Sequence, residues 1–81
     1  MPKPQVIIYS RPNCHLCDVA KQSIEEANCA GRFTLEIVNI ENDPELQARY
    51  GLDIPVVTVD GHEEFRHRVD PQRFCEVITK K

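Results

Sequence analysis

Cys14 and Cys17 are three residues apart and stand between an apolar run and a stretch with helical periodicity. The apolar run, residues 5–9, is rich in β-branched side chains and shows no alternation, which is typical of a strand covered on both faces. The stretch after it places apolar side chains along one helical face, so the sequence predicts a helix over about residues 14–28 with Asn13 as its N-cap. A strand that leads into a helix with a C-x-x-C motif at its start favours a βαβ unit.

The rest of the chain alternates strand-like and helix-like segments, each bounded by a turn or cap signal. Asp43 and Asp70 are each followed by proline, the pattern of an N-cap and a first helical residue. Asp60-Gly61 is a strong signal for a hairpin turn, and the alternating charges after it indicate an edge strand. The predicted elements are strands over 33–40, 54–59 and 63–69 and helices over 44–50 and 71–79.

The resulting order, βαβαββα, predicts an α/β fold with a four-stranded mixed sheet and helices on both faces. Strands that are joined by a helix are expected to be parallel, whereas the two strands joined by Asp60-Gly61 must be antiparallel. With 81 residues, the chain is long enough for one domain, residues 1–81, and too short for two.

Charge and hydropathy exclude several classes of partner. A net charge of -3 argues against sequence-independent binding of nucleic acid, which needs a row of basic side chains facing the phosphates. The longest apolar run, residues 6–9, is far shorter than a membrane span, and residues 1–5 do not lead into a signal-peptide core. We therefore expect a cytoplasmic, monomeric protein with neither a nucleic-acid nor a membrane partner.

The four cysteines allow two structural disulfides, a metal site, or a redox pair with two bystanders. Cys29 and Cys75 lie far from each other and from the close pair, so no second C-x-x-C motif completes a structural zinc site. A scaffold with two disulfides requires export, for which the sequence shows no signal. We interpret Cys14 and Cys17 as a redox pair, and Cys29 and Cys75 as small core side chains.

Position on the helix assigns different roles to Cys14 and Cys17. Two residues three apart at a helix start have Cβ atoms about 5 to 6 Å apart, a spacing at which a disulfide opens and closes with little backbone movement. Cys14 faces the partial positive charge of unpaired amide groups and Arg11 precedes it by three residues, so we expect its thiolate to be favoured. Cys17 shares the apolar stripe with Ala20, and burial should raise its pKa. Cys14 is therefore predicted to attack and Cys17 to resolve.

Two segments of the sequence are characteristic. They read Ser10-Arg11-Pro12-Asn13-Cys14-His15-Leu16-Cys17 after the first strand and Asp53-Ile54-Pro55-Val56-Val57 after a second βα unit. This pattern resembles the glutaredoxin branch of the thioredoxin-fold family, and looks closest to its small glutaredoxin-like proteins with Cys-His-Leu-Cys at the active site. The resemblance implies that Cys14 is the nucleophile, Cys17 the resolving thiol and Pro55 a cis-proline facing the pair. It also implies that the backbone of Ile54 contacts a bound peptide or glutathione, and that Arg11 binds a glutathione carboxylate.

The sequence lacks two features of the family it resembles. Leu16 stands where an aromatic residue usually precedes the second cysteine and forms one wall of the glutathione groove. The Gly-Gly pair whose amides hold a glutathione carboxylate is replaced by residues 66–70, Arg-His-Arg-Val-Asp. Arg66 and Arg68 are candidates to compensate, although alternating charges on an edge strand more often form a solvated face. The resemblance therefore implies dithiol chemistry, with glutathione as a candidate cosubstrate.

The function predicted from these residues is that of a thiol–disulfide oxidoreductase with no tightly bound cofactor. Its expected partner is a disulfide-bearing protein or a glutathione mixed disulfide. Two alternatives stay open. The domain can serve as a redox-inert adaptor whose cis-proline face recognises extended peptide, although the intact C-x-x-C motif counts against this. It can also carry an iron-sulfur cluster bridged between two subunits with Cys14 as a ligand, which the resemblance permits.

Overall fold

The computed structural model, which describes residues 3–27, 29 and 31–80, contains four strands and three helices in the predicted order. They are β1 (Gln5–Ser10), α1 (His15–Glu25), β2 (Thr34–Asn39), α2 (Pro44–Tyr50), β3 (Val56–Val59), β4 (His62–Arg66) and α3 (Pro71–Lys80). The helix predicted over 14–28 ends earlier, at Glu25, and residue 28 lies outside the described part of the chain, as do residues 1, 2 and 81. No helix within the described residues is long and apolar enough to cross a membrane.

Strand β1 is central in the sheet, whose order is β2-β1-β3-β4. It pairs in parallel with β2 and antiparallel with β3, and β3 pairs antiparallel with β4. The α/β class, the four-stranded mixed sheet and the edge position of β4 are thus confirmed.

The expectation that α2 joins two parallel strands is wrong, because β3 runs antiparallel to β1 and therefore to β2. Both ends of α2 lie near the end of the sheet where β1 and β2 finish: the amide of Ile40 donates to Ser10, and the carbonyl oxygen of Gly51 accepts from Arg11. The chain therefore enters β3 at this same end, with Val56 opposite Tyr9, and β3 runs in the opposite direction.

Alternate residues of β1 divide between the two faces of the sheet. Val6 and Ile8 are fully buried on the face covered by α1 and α3. Phe74 of α3 lies in the middle of this packing, with the ring centroids of Phe33 and Phe65 at 5.1 and 6.3 Å from its own. The main core is the cluster of buried side chains on this face: Val6, Ile8, Ala20, Ile24, Ala27, Cys29, Val57, Val59, Val69, Phe74 and Ile78. The buried stripe of α1 belongs to this cluster, so packing fixes the direction in which α1 leaves the end of β1.

The opposite face of the sheet is covered by α2, which places helices on both faces as predicted. The ring of Tyr9 in β1 lies 4.6 Å from that of Tyr50, the last residue of α2, at an interplanar angle of 30°. Asp43 caps α2 as predicted, because its carboxylate accepts hydrogen bonds from the amides of Glu45 and Leu46 over 3.1 Å.

The hairpin turn predicted at Asp60-Gly61 joins β3 to β4. Both residues have positive φ, 51° and 88°, which is the combination that a type I′ turn requires. β4 ends at Arg66, earlier than the strand predicted over 63–69, because His67 has a φ of 66° and leaves the extended conformation.

A disulfide joins Cys29 to Cys75, with Cα atoms 5.5 Å apart and a sequence separation of 46. The prediction that Cys29 is a core residue is correct, since Cys29 is 4% exposed. The prediction that Cys29 and Cys75 are two separate, unbonded cysteines is wrong. The segment that follows α1 packs on the same face of the sheet as α3, and this packing brings the two distant cysteines together. Spacing along the chain carries no signal of such a pair.

Burial raises the pKa of the Tyr9 phenol above its ordinary value, and the neighbouring Tyr50 adds to the increase. A phenol whose pKa is higher in the folded protein stabilises the fold at pH values below the unfolded pKa of about 10, and the contribution is lost as the pH rises through the folded pKa. A titration followed by tyrosinate absorbance, compared between wild type and Tyr9→Phe, is therefore expected to give Tyr9 a midpoint above about 10. A difference titration with its midpoint at or below this value contradicts the prediction.

Candidate active site

Three connecting segments meet at the end of the sheet where β1 finishes. In the antiparallel register of β1 and β3, Val56 lies opposite Tyr9, so the residues just before Val56 and those just after Ser10 leave the sheet at the same end. The chain returns to this end after β4, where the amide of His67 donates to the carbonyl oxygen of Pro55 over 2.8 Å. The convergent segments are residues 11–14, 51–55 and 67–69.

Cys14 and Cys17 form a disulfide at the N-terminal end of α1, with Cα atoms 5.2 Å apart. Cys14 is the N-cap residue, and its Sγ accepts a hydrogen bond from the backbone N–H of Cys17 over 3.2 Å. Cys17 is buried, at 6% exposure, whereas Cys14 is half-buried. An N–H donor and a helix N-terminus both stabilise negative charge, so the arrangement favours a thiolate at Cys14 once the disulfide is reduced. The less buried cysteine is therefore also the one that the helix favours as thiolate.

Asn13, the predicted N-cap, does not cap the helix. Cys14 does so one residue later, because a first-turn amide finds the cysteine sulfur as its acceptor. Asn13 instead has a φ of 61°, a left-handed conformation that asparagine adopts more readily than most residues. This residue lets the chain turn from the direction of β1 into that of α1.

The other predicted site residues each lie in one of the convergent segments. The Ile54–Pro55 peptide bond is cis, as the resemblance implied, with Pro55 fully buried and Ile54 half-buried. The contact of Pro55 with the Cys14 sulfur stays a prediction. Arg11 is exposed, and its Nη2 donates to the carbonyl oxygen of Gly51 over 3.4 Å at the C-terminal end of α2. A Cβ atom at position 51 would clash with the backbone carbonyl oxygen of Gln47, so the tight end of α2 accommodates glycine, and its carbonyl oxygen faces Arg11.

Charged side chains form a cluster beside this end of the sheet, and the sequence alone does not predict which of them contact each other. Arg66 donates to Asp53 Oδ2 over 3.0 Å and to Glu63 Oε2 over 2.7 Å, and His67 Nε2 lies 3.6 Å from Asp53 Oδ1. The hydrogen bond with Glu63, followed by the charges of Glu63 and Asp53, raises the pKa of Arg66 above its ordinary value. Two carboxylates thus neutralise Arg66, which the sequence had made a candidate to hold a glutathione carboxylate.

A cavity of about 240 Å³ opens beside the cysteine pair, between α1 and the segment after β4. It is lined by Leu16, Val19, Ala20, His67, Arg68 and Val69. Leu16 and Val19 are 44% and 45% exposed, which is unusual for two aliphatic side chains close together on one helix. Because Leu16 lies between the two cysteines in the first turn of α1, the aliphatic wall of the cavity stands close to the redox pair.

Among residues 3–27, 29 and 31–80, no three His, Cys, Asp or Glu side chains group closely enough to hold a metal ion. The atoms at the site with redox and nucleophilic chemistry are the two sulfurs of Cys14 and Cys17, which are bonded to each other.

The sequence matches the family described as Glutaredoxin-like domain (DUF836) over residues 5–79. The chain belongs to this family. A glutaredoxin-like protein of Dictyostelium discoideum is 34% identical over 72 residues, which cover 82% of this chain and 67% of the relative. A thioredoxin of Methanocaldococcus jannaschii is 25% identical over 84 residues, covering 100% of this chain and 99% of the relative. The resemblance drawn from the two sequence segments is thereby confirmed.

Solved structures share the fold of this glutaredoxin-like domain. The crystal structure of a structural-genomics target protein of X. campestris has a TM-score of 0.77 and 32% identity, and the match covers 94% of this chain and 97% of that one. Oxidised mitochondrial thioredoxin 3 of Saccharomyces cerevisiae has a TM-score of 0.68 at 11% identity, covering 100% of this chain and 81% of that one, which shows the fold alone. Family, fold and the Cys14–Cys17 pair together support a thiol redox role for the glutaredoxin-like domain.

The left-handed conformation of Asn13 predicts how substitutions at this position change stability. Glycine adopts positive φ without strain, whereas a β-branched side chain is strained there. We expect Asn13→Val to lower the free energy of unfolding by about 1–2 kcal/mol and Asn13→Gly to change it by less than about 1 kcal/mol. Chemical denaturation of the oxidised protein measures both values, and equal stability of the two variants would contradict the prediction.

Proposed function

We propose that this glutaredoxin-like domain is a thiol–disulfide oxidoreductase in which Cys14 is the attacking sulfur and Cys17 the resolving one. The asymmetry of the pair supports this: Cys14 is half-buried and accepts the Cys17 N–H over 3.2 Å, while Cys17 is buried. A hydrogen-bond donor and a helix N-terminus favour the thiolate that attacks disulfides, and burial disfavours it. Attack therefore begins at Cys14.

The reaction starts from the dithiol. The Cys14 thiolate attacks one sulfur of a substrate disulfide, which breaks the substrate S–S bond and releases a first substrate thiolate. Cys17 then gives up its proton and attacks Cys14 Sγ in the mixed disulfide, so that the Cys14–Cys17 bond forms and the second substrate thiolate leaves. Two electrons have passed to the substrate, and two external thiol groups, which become a disulfide, return the pair to the dithiol. The oxidised pair has Cα atoms 5.2 Å apart, within the range of an ordinary disulfide.

The surface beside Cys14 favours a protein disulfide as substrate. The cavity next to the pair combines the partly exposed aliphatic groups of Leu16 and Val19 with the side chains of His67 and Arg68, so its aliphatic wall can receive apolar side chains of a peptide. Leu52, in the segment that leads to the cis-proline, is 95% exposed. Removal of such side chains from water would stabilise a bound peptide.

Glutathione is expected to bind loosely at this site. Arg11 is available for one carboxylate, because its partner is a neutral carbonyl oxygen. Arg66 is engaged by Asp53 and Glu63, and the glycine amides of the related glutaredoxins are missing. Arg68, the second basic candidate, lines the cavity beside Leu16. Each charge-assisted hydrogen bond that is lost costs roughly 1.5 to 3 kcal/mol at a buried site and less in an open groove. We expect a Cys14 mixed disulfide with glutathione to form, and glutathionylated substrates to turn over slowly.

Single serine substitutions test the roles of the two sulfurs. Cys14→Ser removes the attacking atom and is expected to lower the rate of protein-disulfide reduction by at least about a hundredfold. Cys17→Ser leaves the first step intact and removes the second, so a mixed disulfide with the substrate accumulates and is detected by mass spectrometry. Lys21→Ser, an exposed change on the same helix, is the matched control and should keep the wild-type rate.

Reductase activity that survives Cys14→Ser, or a substrate adduct on Cys17 in place of Cys14, would contradict these roles. A domain that binds peptide and forms no adduct in the Cys17→Ser variant would be an adaptor and not an enzyme. Iron and colour in protein purified without oxygen would instead point to a cluster carrier.

Two arginine substitutions separate the contributions to glutathione binding. Arg11→Ala is expected to lower the rate of a glutathione-coupled disulfide assay by about tenfold, as for one charge-assisted hydrogen bond in an open groove. Arg66→Ala should leave the rate within about twofold, because Asp53 and Glu63 already neutralise this charge. Arg32→Ala, an exposed change just before β2 at the other end of the sheet, is the control.

Rapid turnover that persists in Arg11→Ala would show that glutathione binds by a route other than this guanidinium. A large loss in Arg66→Ala with no change in Arg11→Ala would reverse the roles of the two side chains.

A further inference from the structure

The second disulfide repeats the asymmetry of the first. Cys29 is buried, at 4% exposure, and Cys75 is half-buried. The backbone N–H of Cys29 donates to Cys75 Sγ over 3.2 Å, the same distance as from the Cys17 N–H to Cys14 Sγ. In each pair, the sulfur of the less buried cysteine accepts a hydrogen bond from the amide of its buried partner. An N–H donor stabilises a thiolate and burial destabilises one, so Cys75 is the sulfur favoured as thiolate in the second pair.

Cys75 is reachable from solvent. It lines a cavity of about 370 Å³ between the end of α1 and the start of α3, together with Glu26, Ala27, Pro71 and Gln72. On its other side it borders a shallower depression of about 340 Å³ along α3. Cys29 belongs to the main core cluster, whereas Cys75 packs at its margin. A small molecule can therefore approach the pair from the side of Cys75.

We propose that Cys29 and Cys75 form a second thiol–disulfide exchange site, separate from the Cys14–Cys17 pair, at which a low-molecular-weight thiol or its disulfide reacts through Cys75. A small thiol is favoured over a protein thiol, because Cys75 lines a concave opening, into which a small molecule fits more readily than a protein surface.

Reduction begins when the thiolate of the small molecule attacks Cys75 Sγ, because Cys75 lines the cavity whereas Cys29 is buried in the core. The Cys29–Cys75 bond breaks, its electron pair leaves on Cys29 Sγ, which takes a proton from water, and a mixed disulfide forms on Cys75. A second small thiolate attacks the small-molecule sulfur of this mixed disulfide, which releases the Cys75 thiolate and the oxidised small disulfide. Two small thiols have then supplied two electrons to the protein disulfide. In the reverse reaction the Cys75 thiolate, which the Cys29 N–H favours, attacks the small disulfide and releases one small thiolate; Cys29 then attacks Cys75 Sγ, which closes the Cys29–Cys75 bond and releases the second.

Opening this bond removes the covalent link between α3 and the segment that follows α1, across a sequence separation of 46. A purely structural cross-link resists thiols until the fold opens, whereas an exchange site reacts while the protein is folded. The two behaviours differ in how the rate depends on thiol concentration and on denaturant.

The test uses the full chain with Cys14→Ser and Cys17→Ser, in which the Cys29–Cys75 disulfide is retained. The oxidised variant is treated with reduced glutathione or dithiothreitol, quenched with acid, alkylated and mapped by mass spectrometry. The rate is expected to rise in proportion to thiol concentration and to stay constant in guanidinium concentrations below the unfolding transition. Glutathione adducts on Cys75 are expected to exceed those on Cys29 by at least about tenfold.

Wild-type protein mapped in the same way is the control, since its peptides distinguish the two disulfides, and it decides the outcome if the doubly substituted chain does not fold. A rate that is independent of thiol concentration and grows with guanidinium would overturn the proposal, because the bond would then open only through unfolding. Adducts mainly on Cys29, or a disulfide that neither thiol opens in the folded protein, would overturn it as well.

Discussion

Strand β1 pairs in parallel with β2 on one side and antiparallel with β3 on the other. As a result, the end of β1, the start of β3 and the end of α2 lie at one end of the sheet, where the cysteine pair begins α1. The position of α2 goes with this arrangement, since the chain leaves β2 beside Ser10 and finishes α2 beside Arg11, at the same end of the sheet. A parallel β3 would put the cis-proline segment at the opposite end of the sheet from Cys14, and the site would not assemble.

Helix capping and sulfur reactivity are coupled in the first turn of α1. The amides at a helix start need acceptors, and the amide of Cys17 finds one in the Cys14 sulfur. The hydrogen bond that caps the N-terminal end of α1 also favours negative charge on the Cys14 sulfur. The Cys75 sulfur also accepts a hydrogen bond that favours its thiolate, although it lies within α3 and not at a helix start. The donor is the amide of Cys29, in the segment after α1. Both pairs thus combine one buried sulfur with one that is accessible and hydrogen-bonded.

The charges around the site set this domain apart from the glutaredoxins it resembles. Arg66 pairs with the carboxylates of Asp53 and Glu63, so this guanidinium is neutralised within the fold. His67 also lies beside Asp53. His67 has a φ of 66°, a conformation that suits glycine, in the neighbourhood where those glutaredoxins carry a Gly-Gly pair. The backbone conformation is present, but the residue carries a histidine side chain, which lines a cavity together with Arg68 and the aliphatic groups of Leu16 and Val19.

The sequence by itself determined the element order, the cap of α2, the hairpin turn and the position of the C-x-x-C motif, and its family resemblance implied the cis-proline. Each of the first four depends on residues a few positions apart, whose preferences act locally. The tertiary structure decided the direction of β3, the pairing of Cys29 with Cys75 and the contact of Arg66 with Asp53. These depend on which elements pack together, because contacts between residues distant in sequence form only when the sheet and its helices have assembled.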